Sequence, residues 1–287
     1  MSEAHGAYYV PHGSYWSILG SFGLLGLGLG GAGYLEGAGW GVPVLLLGIV
    51  LTIATAAGWF AEVIRENVMG KYNDQVDRSF RWGMIWFIFS EVMFFGAFFG
   101  ALFYARVFSV PWLGGEDPVT SRLLWDSVTL SWPTAGPGFL GLEFEPMGAW
   151  ALPTINTLIL LTSGLTITIA HHAIKEPGQR QKVAVFTALT VALGMLFLGI
   201  QSYEYVHAWQ DLNLRMDTGI YGSVFYMLTG FHGIHVLIGV ITLVVILGRI
   251  LAGHFSPEQH FGFEAAAWYW HFVDVVWLGL FVFVYVI

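Results

Sequence analysis

The stretch "RWGMIWFIFSEVMFFGAFFGALFYARVF", residues 81–108, decides the class of fold. Between Arg81 and Arg106 its only charged side chain is Glu91. About 20 apolar residues suffice for a helix to cross a hydrocarbon core of roughly 30 Å, and this run is longer than that. The apolar residues are continuous and do not alternate with polar ones, which excludes the strand pattern of a membrane β-barrel. Working outward, six further runs have the same character. The seven windows lie near Tyr15–Tyr34, Trp40–Ile64, Trp82–Phe108, Trp150–Ile174, Val183–Val206, Thr218–Leu251 and Glu264–Ile287. The third and sixth are long for a single crossing, which implies tilt or projection beyond the bilayer.

Composition agrees with an all-α integral membrane protein. Of 287 residues, 56% are hydrophobic and only 10% charged, a balance that excludes an ordinary soluble domain. Aromatic residues make up 17%, including 13 Trp, suited to ring belts at the two interfaces and to helix packing. Cysteine is absent, so no disulfide framework or thiolate metal site is available. The net charge of -8 comes with no basic stripe, and a nucleic-acid partner is not expected. The opening "MSEAHGAYYVPHGS" lacks Lys, Arg and a small-residue cleavage pattern, so no signal peptide is expected.

Eight of the 11 basic residues, Arg65, Lys71, Arg78, Arg81, Lys175, Arg180, Lys182 and Arg249, lie at or beyond the C-terminal ends of the second, fourth and sixth windows. The positive-inside rule then puts the N-terminus inside and the C-terminus outside. The long outer connection, residues 109–148, carries Glu116, Asp117, Asp126, Glu143 and Glu145 against Arg122 alone. It reads as an acidic cap and not as a second domain. In the first window Gly20, Gly23, Gly26 and Gly30 form a stripe along one face that admits the close approach of a backbone or a lipid tail. No internal repeat supports a transporter built from duplicated halves.

The polar residues inside the windows are the candidates for function. Glu91 lies ten residues beyond Arg81, about 15 Å along a helix and so near mid-membrane. Its helical neighbours Met84, Phe87, Ile88, Phe94, Phe95 and Phe98 are apolar. An ionised carboxylate there costs at least ~2.5 kcal/mol, so a mostly neutral acid is expected at pH 7. Packing through a hydrogen bond and a proton-exchanging role both remain open. Glu264, His271 and Asp274 share one broad face of the last window and predict a polar seam. Glu204 and His207 have the spacing of an intrahelical pair, and His232 and His235 are also three apart. His171 and His172 reach the inner boundary, where Pro177 ends the helix. One Glu-x-x-His without a second copy falls short of a bundle carboxylate site, and paired histidines without a third ligand fall short of a metal site. No metal is expected, and the histidines read as structural hydrogen-bonding groups.

Four stretches, "RWGMIWFIFSEVMFFGAFF" (81–99), "PTINTLILLTSGLTITIAHHAIKE" (153–176), "GIYGSVFYMLTGFHGIHVLIG" (219–239) and "FGFEAAAWYWHFVDVVWLGLFVFVYV" (261–286), resemble the signature segments of the haem-copper oxidase subunit III family, that of cytochrome c oxidase, in that family's order. "WFAEVIRENV" (59–68) resembles its exit from the second helix. The resemblance implies a two-helix unit over residues 1–70 and a five-helix bundle over 71–287, splayed so that a V-shaped cleft holds phospholipids. It implies no haem or copper in this chain. Those groups belong to subunits I and II, which take electrons from cytochrome c, reduce oxygen and pump protons. It also implies lipid contacts at Trp59, Arg65, Glu66, Arg249 and His254 and a functional carboxylate at Glu91, while Glu204, His207, His232, His235, Glu264, His271 and Asp274 read, from their own positions, as a structural polar seam. The expected role is to stabilise subunit I, sustain proton uptake and deliver oxygen through lipid. A quinol-oxidase subunit usually lacks the first two spans; a stand-alone transporter, proton channel or haem cytochrome would use the polar residues itself. The bacterial inner membrane is the expected location, with the mitochondrial inner membrane the alternative.

Overall fold

A computed structural model describes residues 9, 13–124, 128–139 and 142–287 of the chain. Most of the opening segment and Asp126 fall outside the described residues. The described residues contain no strand, and seven helices are long and apolar enough to cross a membrane. The chain is a multi-pass membrane protein. It divides into two compact units, Met1–Trp82 and Gly83–Ile287.

In the first unit, helices α1 (Trp16–Leu35) and α2 (Gly41–Val68) form an antiparallel hairpin. Gly37, with φ +71°, makes the backward turn between them. Their contact is the predicted glycine stripe, and the backbone that approaches it belongs to α2. A Cβ at Gly26 would come within 2.9 Å of Gly48 Cα, one at Gly23 within 2.7 Å of Thr52 Oγ1, and one at Gly30 would collide with the Leu45 backbone. Helix packing in lipid gains from such close approach because lipid tails solvate apolar side chains as well as a neighbouring helix does.

Helix α3 (Asp74–Tyr104) runs through the division between the units. Its start lies eight residues before the predicted boundary because Asn73 Oδ1 accepts the amides of Gln75 and Val76, at 3.1 and 3.0 Å, and so caps the extra turns. Wider turns at Ala105–Ser109 and Trp112–Glu116 prolong it, and Asp117 then caps the short helix α4 (Pro118–Leu124).

The second unit is built on α5 (Leu152–Ile174), α6 (Arg180–Gln210), α7 (Gly219–Ala252) and α8 (Phe261–Leu280), with each helix packed on the next and α8 closing back on α5. Trp270 and Trp277 of α8 fill the middle and are essentially unexposed. Each indole N–H needs a partner in a dry interior, and α5 supplies both: Trp270 donates to Ser163 Oγ and Trp277 to Thr157 Oγ1, each at 2.9 Å. Gly194 of α6 and Gly239 of α7 make room for the Trp270 ring. The predicted acidic cap is more than surface. Ile220 N–H donates to Ala135 O (3.1 Å), Glu145 N–H to Leu212 O (2.9 Å) and Asn213 Nδ2 to Glu143 O (2.9 Å), so Ala135, Glu143 and Glu145 are stitched to the α6–α7 connection and the start of α7.

Candidate functional site

Glu91 has a partner that the sequence spacing did not name. Its Oε2 lies 2.8 Å from Nε2 of His235, which α7 presents toward α3. The other ring nitrogen, Nδ1, is 2.7 Å from Phe231 O. A carbonyl can only accept, so Nδ1 carries a hydrogen, and the Nε2–Oε2 contact must hold one more proton, either on the carboxyl or on the ring. Glu91 is 21% and His235 12% exposed. Phe95 meets the imidazole edge-on at 4.9 Å, and Phe94 and Tyr269 flank it at 5.8 and 6.4 Å. The contact clasps α3 to α7.

The seam on α8 divides in two. His271 Nδ1 faces Asp274 Oδ2 at 3.6 Å and its Nε2 lies 3.2 Å from Thr168 Oγ1 of α5. Gly164 leaves room for the Asp274 carboxylate, since a Cβ there would come within 2.5 Å of Oδ2. Glu264 lies two turns away, at the other end of the seam, and is grouped instead with His171 and with His260, a histidine the sequence reading did not single out. Their ligand atoms fall within 4.8 Å of one another, which among the described residues is the one three-residue cluster close enough for shared metal ligation. The signal that could have found it is the four-residue spacing of His260 and Glu264 across the start of α8.

His232 and His235 do not form a shared site. His232 is buried and its Nε2 donates to Val273 O of α8 at 3.2 Å, while His235 turns to α3. The expected Glu204–His207 pair is also absent: His207 Nδ1 bonds Asp211 Oδ2 at 2.7 Å. The reason is that Glu204 faces the interior and is fully buried, whereas His207 looks outward and reaches the residue one turn further on.

The residues expected at lipid headgroups behave unequally. In the first unit Trp59 and Arg65 are exposed, but Glu66 is occupied: it accepts the hydroxyls of Tyr9 (2.6 Å) and Tyr72 (2.9 Å) and pairs with Lys71 at 3.5 Å. Burial and the bond to Glu66 push the Tyr72 hydroxyl well above its usual range, and the same carboxylate raises Tyr9. Glu66 thus orders its own loop. In the second unit His254 is exposed, and the Arg249 guanidinium sits 4.4 Å over the Phe255 ring.

Comparison with known proteins adds a finding that geometry cannot. Residues 6–287 match the family model described as cytochrome c oxidase subunit III. The chain is 41% identical over 286 residues to "Cytochrome c oxidase subunit 3" of Marchantia polymorpha, covering 99% of this chain and 97% of that protein. The corresponding protein of Arabidopsis thaliana is 40% identical with the same coverage. "Probable cytochrome c oxidase subunit 3" of Rickettsia conorii is 39% identical over 289 residues, covering all of this chain and 95% of the relative.

Proposed function

We propose that this chain, which belongs to the cytochrome c oxidase subunit III family, serves as the accessory subunit of a respiratory oxidase and performs no redox step of its own. Haem and copper reside in subunits I and II, which take electrons from cytochrome c, reduce oxygen to water and pump protons. This chain covers subunit I, keeps its proton uptake running, and offers oxygen a path through phospholipids bound between its helices. The observation that carries the reading is that all seven apolar helices fall inside the stretch shared with the family, residues 6–287. Retention of the first two helices favours the cytochrome c branch over the quinol branch.

The part-buried Glu91–His235 pair supports a structural and proton-holding role over a conducting one, because both ends of the imidazole are already engaged. Trp59, Arg65, Arg249 and His254 are the lipid-headgroup contacts, with Arg suited to fork onto phosphate; Glu66 instead orders its own loop. We place the N-terminus on the cytoplasmic side of a bacterial inner membrane, following the distribution of Lys and Arg.

The test is to tag the chain, extract it gently and identify what comes with it. A haem-copper partner should copurify, and oxidase stripped of this chain should keep its visible spectrum while its turnover decays early. Copurification without such a partner, or unchanged durability after stripping, refutes the reading.

A further inference from the structure

Gln201 and Glu204 stand three residues apart near the C-terminal end of α6, and Tyr285 lies in the turn that extends α8. Each is more than nine-tenths buried: Glu204 is 0%, Gln201 5% and Tyr285 8% exposed. The Tyr285 hydroxyl neighbours both the Glu204 carboxyl and the Gln201 amide. Even so, five polar atoms, Glu204 Oε1 and Oε2, Gln201 Oε1 and Nε2, and the Tyr285 hydroxyl, make no hydrogen bond within the described chain. Phe225 and Trp277 meet the Tyr285 ring at 5.6 and 5.9 Å. Buried polar atoms are almost always paired, and a group of complementary donors and acceptors brought together without well-formed direct bonds is what a small bridging ligand satisfies.

We propose that Gln201, Glu204 and Tyr285 enclose a site for bound water, and that this water puts the Glu204 carboxyl in proton exchange with the surface through His207 and Asp211. Two to four polar partners are what an internal water requires, and the three side chains supply them. His207 lies one turn beyond Glu204, and its Nδ1–H donates to Asp211 Oδ2 at 2.7 Å, which leaves the Nε2 lone pair free to accept. The Glu204 O–H bond gives its proton to water, which passes one on to Nε2. The electron pair stays on the carboxylate, held by the Tyr285 O–H and the Gln201 N–H. Of the other titratable groups around it, Tyr205 is engaged with Thr229 at 2.6 Å and does not compete. This site lies apart from the Glu91–His235 pair and does not depend on the reading of that pair.

Infrared spectra of the assembly purified through this chain, recorded in H2O and D2O, test the proposal. A protonated-carboxyl band absent from Glu204→Gln should shift soon after transfer to D2O. In His207→Asn the band should persist but exchange about a hundredfold more slowly, the size of a lost acid–base group. Tyr285→Phe, which keeps the ring and removes one water partner, should move the band even if Glu204→Gln fails to assemble. A carboxyl band indifferent to D2O, or exchange unchanged by His207→Asn, overturns the proposal.

Discussion

The two units solve the same packing problem with opposite materials. In α1 and α2 the contact is made by absent side chains: glycines let two backbones touch, and only 17% and 11% of the residues in their apolar windows are buried. In α5 and α8 the corresponding shares are 44% and 56%, and the contact is made by the largest side chains available, two indoles each tied to a hydroxyl on α5. A hairpin held along one thin line leaves most of its surface to its surroundings, whereas a ring of helices around two tryptophans encloses an interior in which acids and imidazoles can be fixed. The polar residues follow that division. Glu91, His232, His235, Glu204, His271 and Asp274 all belong to the second unit.

The contrast can be broken from either side. The largest effect is expected for Trp270→Ala, which empties the middle of the ring and orphans Ser163; a loss of about 3–5 kcal/mol should appear in denaturant titration of the purified chain. Gly26→Val attacks the hairpin and should cost about 1–3 kcal/mol, read as loosened α1–α2 association in a cross-linking assay, while the signals of the Trp270 ring stay unchanged. If Gly26→Val loosens both units equally, the division drawn between them is wrong. The smallest effect is expected at the clasp: Glu91→Ala strands a part-buried imidazole nitrogen at a cost of about 1 kcal/mol, and Glu91→Gln, which can still donate to Nε2, should recover most of it in the same denaturant titration.

The spans were legible because hydropathy is a property of each segment alone, and so was the glycine stripe as a place of close approach, though not that a backbone rather than a lipid tail would fill it. Helix starts were less so. α3 begins at Asp74 because a side-chain cap at Asn73 overrides the polarity of the following turn. Pairings were the least legible, since they join distant parts of the chain. Nothing local in "SEVMFF" announces His235, and nothing local in "HFGFE" announces His171. The local guess of Glu204 with His207 failed because spacing places two side chains near each other without saying which way the helix is rolled. Only the ring of helices around Trp270 settles that.

Gly219 holds a position, with φ +61°, where a Cβ would run into the Ala135 carbonyl. The amides just after it donate to Ala135 and Thr134, so the mouth of α7 is fastened to a segment made before α5. During biogenesis this strap is made before α7 and must be in place when α7 arrives. Any side chain at residue 219 would therefore be felt as a late helix failing to dock, with the earlier spans inserted and intact.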